Sequence, residues 1–306
     1  GKMREAMTHY RAALQAKPDH VTAHVNLGNL LLKQSKVKMA IHHFHEALQV
    51  RPDYELGYVY LGNAMAAQRK TDAALSYYRE ALRLNPNLPE AHYNIGLIRA
   101  EQGNLREAIE SFRAALRGRE NFAAAHYDLA NALARQGQDD EAIRHYKRAL
   151  QLEPGNAEAH INLANLLAAQ AATDDAIAHY QEALRLKPNS VEAHNNLGLT
   201  LVRNEQIEEG VAHYREALRL KPNDAEAHFN LGLALARQGK TADATARFKA
   251  ALRLTPNFAP AHHNLGVALM MQGHKAAAMA HWSAALRIDP GYVPAREALA
   301  MAQQRR

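Results

Sequence analysis

Residues 159–190 read AHINLANLLAAQAATDDAIAHYQEALRLKPNS. In its first part Leu163, Leu166 and Leu167 recur at i, i+3 and i+4, the spacing that places side chains on one face of an α-helix. A polar turn follows, then a second segment of the same kind. One copy earlier in the chain, that second segment carries Ala142, Ile143, Tyr146, Ala149 and Leu150, again on one helical face. Pro188 closes the stretch, because proline lacks the N–H that a continuing helix needs and its ring collides with the preceding turn. The stretch therefore predicts two amphipathic helices joined by a tight turn.

The same text recurs in both directions. AHVNLGNLL, AHYNIGLIR, AHYDLANAL, AHNNLGLTL, AHFNLGLAL and AHHNLGVAL keep a register of 34 residues, with a histidine at His24, His92, His126, His160, His194, His228 and His262 and Tyr58 in the one gap. A second motif follows each of these, from AIHHFHEAL to AMAHWSAAL, and most copies end at a proline: Pro52, Pro86, Pro154, Pro188, Pro222, Pro256 or Pro290. Between the two motifs stands a turn, often Gln-Gly, with Gly103, Gly137, Gly239 and Gly273 placed where a helix end favours the left-handed conformation. Small residues such as Ala142 and Ala149 let the helices approach, and the aromatic between them fills the remaining space.

This pattern resembles the tetratricopeptide repeat over the whole chain. The resemblance implies an all-α fold: a right-handed superhelical solenoid of antiparallel helix pairs over residues 1–306. It would hold eight full repeats at 21–292, a lone second helix at 1–20 and a lone first helix at 293–306. It also implies that first helices line a concave surface. The chain departs from the family pattern in places. Histidine stands where a large aromatic is usual, Gly210 replaces the alanine that opens most second helices, and Gly118 and Glu120 replace an aliphatic residue and a proline. The junction at 117–121 is accordingly expected to be the most loosely packed.

Asn26, Asn94, Asn162, Asn196, Asn230 and Asn264 occupy one position of the first helix, two residues after the histidine, with Tyr60 and Asp128 interrupting the row. Asparagine is a poor helix former, so a repeated mid-helix asparagine needs a reason. Its amide both donates and accepts, and can pair with the backbone of an extended peptide. The row looks like the asparagine ladder in the repeat region of O-linked N-acetylglucosamine transferases, which implies peptide binding here. A second partial row, Asn29, Asn63, Asn131 and Asn165, lies three residues further on the same face. Against this stands a bland alternative, that both rows bond only to neighbouring helices or water.

The histidines of successive repeats are expected to act as spacers. Helix axes pack about 8–10 Å apart, whereas zinc ligands lie about 2 Å from one ion. His42 and His45, neighbours on one helix face, are the exception whose spacing suits a chance surface metal. Glu107, Asp140 and Glu141 open second helices, where carboxylates suit the positive helix end, and Arg83, Arg185, Arg219, Arg253 and Arg287 stand near helix ends of the opposite sign. No phosphate loop, nucleophile elbow or other catalytic constellation stands out. No cysteine is present, and no cofactor is implied.

A formal charge of +6 over 306 residues permits acidic partners without pointing to nucleic acid, and no apolar run has the length of a membrane span. The expected function is a non-enzymatic scaffold for an extended peptide or protein segment. Two alternatives accompany it. The chain could be the substrate-binding arm of a larger glycosyltransferase. Or copies could stack head to tail, since the terminal half-units of 14 and 20 residues sum to one repeat. Met3, Met7 and Tyr10 would then offer an uncovered face to Leu299 and Ala302 of the next copy. A missing start methionine favours instead a segment of a longer solenoid, and Gln303, Gln304, Arg305 and Arg306 suit a solvating cap.

Overall fold

The computed structural model describes residues 2–304, so Gly1, expected at a turn, and the cap residues Arg305 and Arg306 lie outside it. Among the described residues the chain is a succession of helices with no strand. They fall into two compact units, residues 1–154 and 155–306. The first holds α1 (Lys2–Ala16), α2 (Val21–Lys33), α3 (Val37–Val50), α4 (Glu55–Ala67), α5 (Thr71–Leu84), α6 (Pro89–Glu101), α7 (Leu105–Gly118), α8 (Ala123–Arg135) and α9 (Asp139–Leu152). The second holds α10 (Ala157–Ala169), α11 (Thr173–Leu186), α12 (Val191–Arg203), α13 (Ile207–Leu220), α14 (Ala225–Arg237), α15 (Thr241–Leu254), α16 (Ala259–Met271), α17 (Lys275–Ile288) and α18 (Val293–Gln304).

Within each unit, helices pack in antiparallel pairs, and the pairing has a simple steric cause. Each second helix buries one aromatic ring, such as Phe44, Tyr78, Phe112, Tyr214, Phe248 or Trp282. In those six repeats the ring lies on a glycine of the first helix, whereas opposite Tyr146 and Tyr180 the position is Ala130 and Ala164. A Cβ at Gly62 would stand 2.3 Å from Tyr78, and one at Gly266 would stand 2.5 Å from the Trp282 indole nitrogen. Fully buried alanines, including Ala40, Ala74 and Ala108, line the rest of the contact. Gly210 has its own reason. Val202 fills the space that a side chain at Gly210 would need, with a Cβ there only 2.5 Å from the valine.

First helices start at a side-chain cap in several repeats. Asn156, Ser190 and Asp224 accept from the backbone N–H of Ala159, Ala193 and Ala227 at 3.0, 3.3 and 3.1 Å. The turns inside the pairs need a left-handed residue. Gly103, Gly137, Gly239 and Gly273 supply it, with φ between 75° and 83°. In the other full repeats Ser35, Arg69, Ala171 and Glu205 take the same conformation at φ 59–63° without being glycine.

The junction at 117–121 is tight rather than loose. A Cβ on Gly118 would lie 2.3 Å from the Asn87 carbonyl oxygen and 2.9 Å from the Pro89 ring. Gly118 is thus the residue that admits Pro89 and the preceding turn. Arg119 then stacks over Phe122 at 4.2 Å and pairs with Glu90. Glu120 replaces the usual proline without loss, because its carbonyl takes the same hydrogen bond from His126, at 2.9 Å.

Candidate functional site

The asparagines of the first helices are all half-buried. The two rows meet across neighbouring repeats. Asn94 donates its amide to Asn63 Oδ1 at 2.9 Å, and Tyr78, from the intervening second helix, donates its hydroxyl to the same oxygen at 2.7 Å. Unit 2 repeats the arrangement: Asn196 and Tyr180 both donate to Asn165 Oδ1, at 2.9 and 2.6 Å. Tyr146 donates to Asn131 Oδ1 at 2.5 Å. The Asn63 and Asn165 clasps each tie a first helix to its own second helix and to the next first helix, and they set which way the amides point.

The other predicted residues are placed differently. Asn264 donates to the Pro260 carbonyl of its own helix at 2.8 Å. Among the described residues, Asn26, Asn29 and Asn230 have no side-chain hydrogen bond. Asn162 is half-buried on the α10 face. Asp128, which interrupts the main row, accepts from the Tyr93 hydroxyl at 2.7 Å and from Asn131. Burial pushes its carboxyl above the usual range, although those bonds work against the shift.

The clasp was legible in part. Asparagine at 63, 131 and 165 coincides with tyrosine at 78, 146 and 180, whereas Leu97, Leu233 and Val267 coincide with Phe112, Phe248 and Trp282. Asn29 beside Phe44 and Leu199 beside Tyr214 are the exceptions. The Trp282 indole donates instead to the His263 carbonyl at 3.1 Å.

The histidines are more than spacers. Each ladder histidine of five repeats meets a second histidine 19 residues later. The Nδ1–Nδ1 distances are 3.0 Å for His24–His43, 2.8 Å for His126–His145, 2.9 Å for His160–His179, 3.0 Å for His194–His213 and 2.9 Å for His262–His281. The ladder ring also bonds through Nε2 to the carbonyl six residues back, at 2.8 Å for His24–Pro18 and 3.1 Å for His194–Pro188 and His262–Pro256. A carbonyl only accepts, so Nε2 carries the proton there and Nδ1 is the acceptor. The second histidine therefore donates its Nδ1–H. The pair holds the two helices of a repeat to each other and to the preceding turn. Where Tyr58 replaces the ladder histidine, its hydroxyl donates to Pro52 O at 3.1 Å, which preserves the tie to the turn. The second histidine row was visible at constant spacing, but its pairing partner was not.

His42 faces Glu46 at 3.7 Å and His45 is exposed; among the described residues no group of three or more histidines and carboxylates is placed to hold a metal. Arg83, Arg185 and Arg219 each pair with a glutamate three residues before them, at 2.6–2.7 Å. No described helix is long and apolar enough to cross a membrane.

The proposed self-association residues divide. Met3 is exposed, but Met7 is only 4% exposed, packed in one core cluster with Leu27 and Leu31. The face expected to be uncovered is thus largely covered by α2, with Tyr10 half-buried beside it. At the other end Leu299 is half-buried and Ala302 buried, and Met270, Trp282, Ala298 and Met301 border a cleft of about 320 Å³ among α16, α17 and α18.

Helix pairs of this geometry, in a register of 34 residues, define a helical-repeat protein. The family model of the tetratricopeptide repeat matches residues 1–55, 25–89, 60–125, 93–157, 127–191, 195–257 and 235–293, and the chain belongs to that family. Its members act as protein-interaction scaffolds. Among solved structures the chain is similar to YrrB, reported as "a TPR protein with an unusual peptide-binding site", at 27% identity and a TM-score of 0.56, over 62% of this chain and 98% of that one. It is similar in fold to pilF of Pseudomonas aeruginosa, at 21% identity and a TM-score of 0.60 over 70% of this chain and 97% of that one. MamA of Desulfovibrio magneticus RS-1 shares the fold at 23% identity and a TM-score of 0.52, over 54% and 94%. No curated protein sequence matches the chain.

Proposed function

We propose that the chain is a non-enzymatic scaffold that holds an extended peptide against the first-helix faces, with Asn26, Asn94, Asn162, Asn196, Asn230 and Asn264 bonding to the peptide backbone. One observation carries this reading: the Asn63–Asn94 and Asn165–Asn196 clasps orient half-exposed amides of the row and leave part of Asn94 and Asn196 uncommitted. In the Asn63–Asn94 and Asn165–Asn196 clasps a single oxygen takes both donors, so Asn94 and Asn196 retain Oδ1 and one N–H. An amide held in one orientation binds without the full cost of immobilising it. The likeness to YrrB, a protein reported with a peptide-binding site, supports the same reading.

Peptides selected from a random phage-displayed library against the full chain provide the probe. Asn230→Ala combined with Asn264→Ala should weaken a selected peptide about tenfold or more, the loss of two net hydrogen bonds. The urea midpoint should hold, because Asn230 makes no internal side-chain bond and Asn264 bonds only to its own helix. A double variant that binds every selected peptide at full strength would remove the asparagine row from the binding surface.

A further inference from the structure

Two ladder histidines have no second histidine 19 residues later: His92, which has Ser111 there, and His228, whose repeat departs in a directed way. His228 of α14 bonds through Nε2 to the Pro222 carbonyl at 3.1 Å, as the other ladder histidines do. Its Nδ1, however, is buried and has no partner among the described residues. The position that carries the second histidine elsewhere is Arg247. In the same repeat Ala250 stands where Glu80, Glu182 and Glu216 neutralise an arginine, so Arg253 has lost its carboxylate. Two changes of the same sign thus fall in one place. Among the described residues neither Arg247 nor Arg253 has an ion-pair or hydrogen-bond partner. His228, Arg247, Arg253 and Asn223 line one cleft of about 380 Å³.

We propose that this cleft is an anion site that takes a phosphoryl group. Both guanidinium groups and the His228 ring line this cleft, and two such forks suit the three oxygens of a dianion. A carboxylate would be satisfied by one fork. Because Nε2 already carries a proton, Nδ1 can donate to the anion only if the ring becomes imidazolium, so anion binding and proton uptake are linked. Empty, the ring is held below the ordinary histidine value, first by burial and further by Arg247 and Arg253; the Pro222 carbonyl and Asp224 act the other way. Lys221, from the turn after α13, lies on Asp224 at 3.1 Å and adds its charge nearby. A bound dianion reverses the balance and charges the ring.

The test is calorimetric titration of the full chain with sulfate, a dianion whose own charge does not change between about pH 5.5 and 8. The expected result is one site per chain, weakening with rising pH by up to about tenfold per unit. Arg247→His rebuilds the histidine pair found in five other repeats, so it should fold normally and lose at least about tenfold in affinity. Arg287→Ala, in the equivalent cleft whose His262 is already paired, should leave binding unchanged. A phosphoserine peptide that binds more tightly than inorganic phosphate assigns the group to a phosphorylated chain; the reverse order assigns it to a free anion. No binding heat at millimolar sulfate, or an Arg247→His chain that titrates like the parent, overturns the proposal.

Discussion

Four full repeats hold a residue other than glycine in the left-handed region, and replacing all four should stabilise the chain. Ser35, Arg69, Ala171 and Glu205 sit at φ 59–63° where the other repeats place glycine at 75–83°. All four are exposed, so little packing is lost with their side chains. The left-handed conformation costs an L-residue about 1–2 kcal/mol. Glycine returns about 0.4–1 kcal/mol of that through its greater freedom in the unfolded chain. The net gain is about 0.5–1 kcal/mol per site, and because the sites lie in separate repeats the gains should add to about 2–4 kcal/mol. The assay is urea unfolding of Ser35→Gly, Arg69→Gly, Ala171→Gly and Glu205→Gly singly and together, with the slope unchanged. Gly137→Ala is the reverse control. A Cβ there would meet nothing within 4 Å, so its expected loss of about 0.5–1 kcal/mol reports backbone conformation alone. A quadruple variant no more stable than the parent would refute the reasoning, as would a Gly137→Ala chain at full stability.

Asn63→Leu should cost about 1–3 kcal/mol, because it leaves the buried Tyr78 hydroxyl without its acceptor, whereas Asn63→Leu with Tyr78→Phe should recover most of that loss. The Leu97–Phe112 and Leu233–Phe248 repeats already carry that combination. A double variant as unstable as the single one, by urea midpoint, would contradict the clasp. Acid should also weaken the fold. Burial, reinforced by the ladder histidine beside each, holds His43, His213 and His281 below the ordinary histidine value and His145 down to about 4. The unfolded chain titrates near 6.5, so between about pH 7 and 4 it binds more protons than the folded chain, and stability is lost as pH falls through that window. His145, whose side chain is 22% exposed, contributes at most about 2 kcal/mol of this after solvent screening. A urea midpoint that is flat or higher at pH 5 than at pH 7.5 would mean that burial does not disfavour the charged form of these second histidines.

The helix pairs were legible because their causes are local: apolar spacing, a glycine at the turn, a proline at the close. What escaped sequence reading is what depends on two repeats at once. Gly118 read as a gap because its neighbours in sequence are ordinary; the Asn87 carbonyl and Pro89, which need that gap, lie on the turn before α6 and at its start, respectively. Met7 read as uncovered because α1 has no helix before it, yet α2 alone suffices to bury it. The asparagine rows were found by position, but whether an amide meets a tyrosine hydroxyl depends on the neighbouring second helix, as Asn63 opposite Tyr78 shows. The histidine pairs escaped for a related reason. A spacing of 19 residues spans a turn, and only the packed pair of helices turns it into a contact.

The central claim is that the first-helix asparagines bind the backbone of an extended peptide. The most direct measurement compares three forms of one library-selected peptide: the parent, a form N-methylated at alternate backbone amides, and a form with its side chains permuted. Methylation removes backbone N–H donors and leaves the side chains in place. The expected result is a loss of about tenfold or more for the methylated peptide, with the permuted peptide within about threefold of the parent. A methylated peptide that binds at full strength while the permuted one fails would contradict the claim, since recognition would then lie in the side chains.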